Sequence, residues 1–307
     1  MRISSRAYMD QLGANLARAG SEVARLGQQI ASGKRLTRPS DDPLAVGAVV
    51  DARSDLAQVV NRQKVLNKAS RLMGVADGAL DTMTSLLRRA QDIGAGATEP
   101  ALTSAARAAM AAELRSIRDS LMDEANASVA GDYVFAGKLS RQPPLSEAGG
   151  VVSYSGSSEG IELWVAPGRP MEASVPGDRL LNFENADGER AVPDVDTDIF
   201  TLLADLASAV EAGDDAEVRR MTPQLQALSE NVVEQRGVLG ARARRVRDAT
   251  DAAACAEVHA RELLADIEDV DLVRAITDLE AQKLAYQAAL AATAKMAQLP
   301  TLFELEW

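Results

Sequence analysis

Three stretches of this chain place residues three and four apart in strict alternation, and that pattern commits them to paired helices. Leu12, Leu16, Ala19, Val23, Leu26 and Ile30 are spaced 4-3-4-3-4. Leu66, Ala69, Met73, Ala76, Leu80, Met83, Leu87 and Ala90 follow at 3-4-3-4-3-4-3. Near the other end Leu272, Ile276, Leu279, Lys283, Tyr286, Leu290, Thr293 and Ala297 run 4-3-4-3-4-3-4. A mean repeat of 3.5 residues holds one stripe on one helix face over many turns, the seam of a coiled coil. Composition agrees, because the chain is 47% apolar but only 3% aromatic, with alanine supplying much of the difference. Large rings bury the most surface per residue, so one thick core would use more of them. Thin, extended helix packing needs few.

Punctuation sets the element boundaries. Gly33 predicts the end of the first helix, as a glycine just past a C-cap does. Ser40-Asp41-Asp42-Pro43 predicts the start of the second, with a polar cap and proline in the first turn. Gly94 and Gly96 predict its break, and Thr98-Glu99-Pro100 a third helix with Met110, Leu114, Ile117 and Leu121 on one face. From Tyr133 to about Pro193 glycine and proline are frequent, and Val151–Tyr154, Ile161–Val165 and Met171–Val175 read as strands. An inserted β-domain of ~60 residues would be marginally stable alone. Helix returns with a cap at Asp196 or Asp198 and runs to Val210. Asp214-Asp215 starts another, continuing from Val218 to about Ala265. Gly237 and Gly240 inside it each cost ~1 kcal/mol against alanine, which predicts close packing there. Pro300 predicts the end of the last helix, leaving Thr301–Trp307 as an apolar tail.

Charge narrows the partners. A net charge of −12 repels phosphate backbones, so nucleic-acid binding is not expected. No stretch approaches the ~20 apolar residues of a membrane span, and Met1–Leu12 lacks the apolar run of a secretory signal, so synthesis in the cytoplasm is expected. Export routes that leave the chain uncleaved escape such rules. Residues 1–40 hold seven basic side chains against Asp10 and Glu22, whereas residues 257–307 hold ten acidic against four basic. Opposite charge at the two ends predicts that the N-terminal helix pairs with the C-terminal one.

Little in the sequence suggests chemistry. A single cysteine, Cys255, excludes an intrachain disulfide and zinc held by several thiolates. His259, the single histidine, lies four residues on. The pair reads as two metal ligands, as nucleophile and base, or as unrelated residues on a solvated helix, and no third ligand stands nearby. Ser32-Gly33-Lys34-Arg35 lacks the upstream glycine and following Ser/Thr of a phosphate loop and reads as a helix end with flanking cations. Asn126-Ala127-Ser128 is a formal glycosylation sequon inside a predicted helix. Arg242, Arg244, Arg245 and Arg247 suit intersubunit salt bridges better than anion binding, since acidic residues surround them and no aromatic interleaves. No catalytic, metal or cofactor-binding residue is expected. The expected subunit-interface residues are Leu12, Leu16, Ala19, Val23, Leu26 and Ile30 with Leu272, Ile276, Leu279, Tyr286, Leu290 and Ala297.

Taken in order, several segments resemble the flagellin-related axial proteins of bacterial flagella over nearly the whole chain. They are Met1-Arg2-Ile3-Ser4, Ile30-Ala31-Ser32-Gly33-Lys34-Arg35-Leu36 and Pro39-Ser40-Asp41-Asp42-Pro43-Leu44-Ala45. Gly131-Asp132-Tyr133-Val134-Phe135-Ala136-Gly137, Val238-Leu239-Gly240-Ala241-Arg242-Ala243-Arg244-Arg245 and the stretch from Asp269 to Ala297 complete the set. The proline in the Ser40–Pro43 motif and the Gly131–Gly137 segment resemble hook-associated members of that family more than flagellins proper. Cys255 and the apolar Phe303–Trp307 tail depart from the family pattern.

The resemblance implies a mainly α, elongated flagellin-like rod of coiled-coil helices from both chain ends, with one small inserted β-domain. Residues 1–40 with 270–307 would form an inner helical pair, residues 41–132 with 195–269 a middle bundle, and residues 133–194 an outer β-domain. It implies a structural role in a ring of subunits between hook and filament, with hook-associated protein 1 and flagellin as neighbours. It also implies type III export without a cleaved signal, and a cytoplasmic export chaperone on the C-terminal helix. The alternatives are a flagellin that builds the filament itself and, from another class, a coiled-coil adaptor unrelated to flagella. An enzyme is not expected.

Overall fold

A computed structural model describes residues 2–38, 41–166, 169–185 and 187–298. Ser40, Pro300 and the tail Thr301–Trp307 lie outside the described residues. The helices are α1 (Arg2–Ser32), α2 (Pro43–Gly96), α3 (Ser104–Ala125), α4 (Gly177–Leu181), α5 (Ile199–Ala212), α6 (Asp215–Glu268) and α7 (Leu272–Gln298). The strands are β1 (Ser128–Val129), β2 (Asp132–Tyr133), β3 (Leu145–Ala148), β4 (Val151–Tyr154), β5 (Glu162–Ala166) and β6 (Arg169–Glu172). The chain divides into two units, one of Val60–Ala254 and one of Met1–Val59 with Cys255–Trp307.

In the Val60–Ala254 unit, all eight residues of the Leu66–Ala90 row are no more than 2% exposed. They meet Leu114, Ile117 and Leu121 of α3, the inner face of α5, and Leu225, Leu228, Val232 and Leu239 of α6 in one contiguous core. Ion pairs tie the same helices at the surface: Arg89 to Glu113 at 2.6 Å, and Arg236 to Asp77 at 3.0 Å. Gly94 lies inside α2 rather than ending it. A Cβ there would stand 3.3 Å from the Thr222 hydroxyl, so the two helices approach closely at that turn.

Local chemistry explains the starts and stops. Asp198 caps α5, one carboxylate oxygen accepting from the amides of Phe200 and Thr201 at 2.9 and 3.0 Å. Asp42 does the same for α2 through the Ala45 amide, and Asp214 for α6 through Ala216 and Glu217. The third helix starts later than its motif predicts: Thr103, not Thr98, is the cap, accepting from the Ala106 amide. Pro100 sits in the turn before it. Gly237 and Gly240 have nothing within 4 Å of a built Cβ, so the close packing expected there is absent. Burial before, between and after them, at Val232, Leu239 and Val246, carries the helix through.

The insert is not one sheet. β1–β2, β3–β4 and β5–β6 are three separate antiparallel two-stranded ladders. A two-stranded ribbon is marginal by itself, and here each is pinned to the helical core. Asn126, at the C-cap of α3, both donates to and accepts from the Leu145 backbone, at 3.3 and 3.1 Å. The sequon asparagine is thus committed to holding β3. Phe135 is fully buried, and its carbonyl accepts from the Gly177 amide at 2.8 Å and the Tyr154 hydroxyl at 3.0 Å. Tyr154 stacks on Phe183, and Phe183 lies tilted against Phe200, with centroids 6.0 and 6.1 Å apart. Burial raises the Tyr154 phenol well above its usual range, so it stays a donor at any physiological pH. Gly137 has φ +60, and a Cβ there would fall 2.3 Å from the Ser157 carbonyl oxygen. Only glycine fits.

Candidate assembly surface

In the unit of the two chain ends, α1 and α7 pack side by side. Leu12, Leu16, Ala19, Val23 and Ile30 are half-buried and Leu26 is buried, so the N-terminal seam faces α7 along its described length. Incomplete burial of most of that row means that one partner helix does not fill it.

On α7 the seam uses a different row from the one read in the sequence. Leu279, Tyr286 and Thr293 are half-buried as expected, but their companions are Ala275, Gln282 and Ala289. Leu272, Ile276 and Leu290 stand 48%, 47% and 48% exposed. The side chain of Ala297 lies outside the described residues. The size of the residues gives the reason. Ala275 and Ala289 let α7 come close to α1, so close that a Cβ on Gly20 would touch the Tyr286 ring at 3.4 Å. Ile276 and Leu290 would hold the helices apart. With Val273 at 79% and Leu284 at 73% exposed, α7 therefore presents a second apolar face that nothing among the described residues covers. Unpartnered apolar side chains at this density mark an interaction surface.

Charge works differently from the expectation. Among the described residues no ion pair joins α1 to α7; Arg25 pairs with Glu22 on its own helix. The acidic excess sits at the end of α6 and in the link to α7, and the cations that answer it lie beyond α1. Glu268 has a side chain only 7% exposed, and it accepts from Lys34 Nζ at 2.7 Å and from the Arg53 guanidinium of α2. Lys34 bridges Asp269 in antiparallel register, with the Arg35 amide donating to Glu268 O at 2.7 Å and the Val270 amide to Gly33 O at 3.0 Å. Gln29, itself buried, donates to Arg35 O at 2.6 Å. Gly33, with φ +71, makes the turn that brings Lys34 there. This clasp was not legible in the sequence, because no local pattern links residues 234 positions apart.

The Lys34 ammonium bonded to Glu268, with Arg53 beside it, holds that carboxyl below the usual carboxylate range against the opposing effect of burial. Arg35, Asp42 and Asp269 stand at the clasp too, and Arg25, Asp41, Asp266, Asp271 and Arg274 line the recess beside it. A lowered native pKa adds stability that is fully present above the unfolded value, ~4.3, and is lost as pH falls through the native one. The melting-temperature advantage of the natural chain over Glu268→Gln should therefore be constant near neutrality and shrink toward zero below about pH 4. An advantage independent of pH would show that charge is not what Glu268 contributes.

The remaining candidates fall elsewhere. Arg242 is bound within the chain, to Glu172 at 2.6 Å and to the Ser174 carbonyl at 3.2 Å, so it is not free for a neighbouring subunit. Arg244, Arg245 and Arg247 are exposed. Cys255 and His259 are both exposed on α6, and no cluster of three metal-ligating side chains occurs among the described residues.

Long helices from both chain ends, paired along a small-residue seam and leaving an apolar face open, are the build of a helical assembly subunit. Comparison with known proteins agrees. The bacterial flagellin N-terminal helical region matches residues 3–140, and the C-terminal helical region matches residues 224–303. Flagellar hook-associated protein 3 of Escherichia coli (strain K12) is 27% identical over 320 residues, covering 99% of either chain. Its Salmonella typhimurium counterpart is 30% identical over 216 residues, 69% of this chain and 67% of that one. Among solved structures, a putative flagellar hook-associated protein from Vibrio parahaemolyticus superposes with a TM-score of 0.65 at 20% identity, over 75% of this chain and 100% of that one. The hook-associated protein-3 of Legionella pneumophila gives 0.61 at 15% identity, over 70% and 98%. The chain belongs to the flagellar hook-associated protein 3 family of flagellin-related proteins.

Proposed function

We propose that this chain is a non-catalytic structural subunit of the bacterial flagellum, forming the ring that joins hook to filament. The open apolar face of α7, Leu272, Val273, Ile276, Leu284 and Leu290, is the observation that carries the reading. In the ring, copies of the chain cover that face and the half-buried α1 seam of their neighbours. Burying apolar surface there offsets the cost of ordering chain, ~1–2 kcal/mol per residue. Residues 1–40 and 270–307 act as the inner tier, residues 41–132 and 195–269 as the middle tier, and residues 133–194 as the outer one. Hook-associated protein 1 lies on one side of the ring and flagellin on the other.

The subunit works outside the cell and leaves the cytoplasm through the flagellar type III route with no cleaved signal. Before export the open face of α7 needs a cover, the role of a cytoplasmic chaperone. Immunogold labelling of intact flagella tests the reading: label confined to the hook–filament boundary is expected, and label along the filament would assign the chain to flagellin instead. Val273→Asp with Leu284→Asp provides a second test. Both positions are largely exposed, so the circular dichroism and melting of the free chain should be unchanged, while motile cells fall by at least tenfold in a soft-agar assay. Undiminished motility would remove this face from the interface.

A further inference from the structure

The α1–α7 seam does not by itself specify which turn of one helix faces which turn of the other. Gly13, Gly20 and Gly27 recur at seven-residue intervals along α1, and Tyr286 of α7 lies against the middle one. Among the described residues nothing lies within 4 Å of where a Cβ on Gly13 or Gly27 would stand, so neither notch is filled by them. The flanking positions repeat as well: Leu12, Ala19 and Leu26 form one row, and Leu16, Val23 and Ile30 the other. On α7, Ala275, Gln282 and Ala289 repeat beside Leu279, Tyr286 and Thr293. Sliding α7 by seven residues would seat Tyr286 in another glycine notch and place similar residues opposite similar residues. Heptad seams are degenerate in this way unless a polar group breaks the tie.

We propose that Glu268 is the residue that fixes the register of the terminal helical pair. It is the one acidic side chain buried at the clasp, and its two cations come from different segments, Lys34 after α1 and Arg53 on α2. A slip of one heptad would move the Gly33–Arg35 strand ~10 Å along α7. That would take Lys34 away from Glu268 and break both backbone hydrogen bonds of the bridge. Glu268 would then be buried with its charge half compensated, the costly outcome for a carboxylate. The correct register satisfies it twice. Buried polar groups serve best as such discriminators where the surrounding apolar packing cannot choose.

The test separates register from mere stability. In a full-length chain carrying Cys255→Ser, spin labels are placed at two exposed positions through Gln11→Cys and Glu280→Cys, which stand ~20 Å apart along the helix axis so that an axial slip reads out as distance. Pulsed electron resonance should give one narrow distance. Adding Glu268→Gln should create a second population displaced by ~10 Å, one heptad of helix rise. Lys34→Met, which leaves Arg53 in place and lies at a half-exposed side chain, should create a smaller share of the same population. Hydrogen exchange at the Arg35 and Val270 amides should accelerate at least tenfold in Glu268→Gln, with the Val60–Ala254 unit unchanged. A single narrow distance retained in Glu268→Gln would overturn the proposal, even if the variant melted earlier. So would a broad distribution in the parent chain.

Discussion

A chain lacking Met1–Ile30 should keep the Val60–Ala254 unit folded and lose assembly at the hook altogether. The core of that unit draws its buried residues from Leu66 to Ala253, none of them in the deleted segment. Its Tyr154–Phe183–Phe200 series should therefore keep its near-ultraviolet dichroism and its cooperative melt. The deletion removes the whole partner row of Leu279, Tyr286 and Ala289 and with it the paired surface proposed to meet neighbouring copies. The expected result in cells is a complete loss of swimming with the truncated protein still soluble and protease-resistant over its middle. Swimming by cells carrying only the truncated chain would sink the assembly mechanism. Failure of the middle unit to fold would instead show that the two units are not independent.

Phe135→Ala should be the most damaging single substitution in the Val60–Ala254 unit. Removing a fully buried ring costs about 3–5 kcal/mol through lost transfer energy and the cavity left behind. For a unit of this size, each kcal/mol lowers the melting temperature by roughly 2–4 °C, so a fall of about 10 °C is expected. The substitution keeps the carbonyl that receives the Gly177 amide and the Tyr154 hydroxyl, so the loss reports on packing and not on hydrogen bonding. Trp164→Ala gives the matched control. That ring is 62% exposed, and its removal should change stability by less than about 0.5 kcal/mol. A comparable loss from both would mean that the insert, and not Phe135, sets the stability of the unit.

The sequence was most legible where a single periodic row had only one place to go. The Leu66–Ala90 row keeps one heptad phase over eight residues, and every member of it is buried. The α7 stripe is ambiguous for a physical reason. Leu279, Tyr286 and Thr293 share one heptad position, and apolar or small residues stand on both sides of it. Ile276 and Leu290 are the more hydrophobic choice, yet Ala275 and Ala289 win because helix approach is limited by side-chain volume. Hydrophobicity counts toward burial, but close approach selects for small size. Boundaries set by a cap plus a proline, as at Asp42-Pro43, were readable. The structure caps α3 with Thr103 instead of Thr98, although the two residues offer the same chemistry. Charge totals foretold that opposite ends attract. They did not reveal that the attraction is concentrated in one buried carboxylate reached by two cations.

The three ladders of the insert have a bearing on how such chains diverge. Each ladder closes locally, so a change in one need not propagate through a shared sheet. The turn between β3 and β4 shows the extreme. Gly149 and Gly150 have φ +62 and +86 with open space around both among the described residues, and Arg118 holds the hairpin to α3 through Glu147 at 2.6 Å and the Gly150 carbonyl at 3.3 Å. Lengthening a flexible loop costs only about 0.6 kcal/mol for each doubling. A peptide inserted at that tip should therefore leave the ladders on either side as they are and the melting temperature of the Val60–Ala254 unit unchanged.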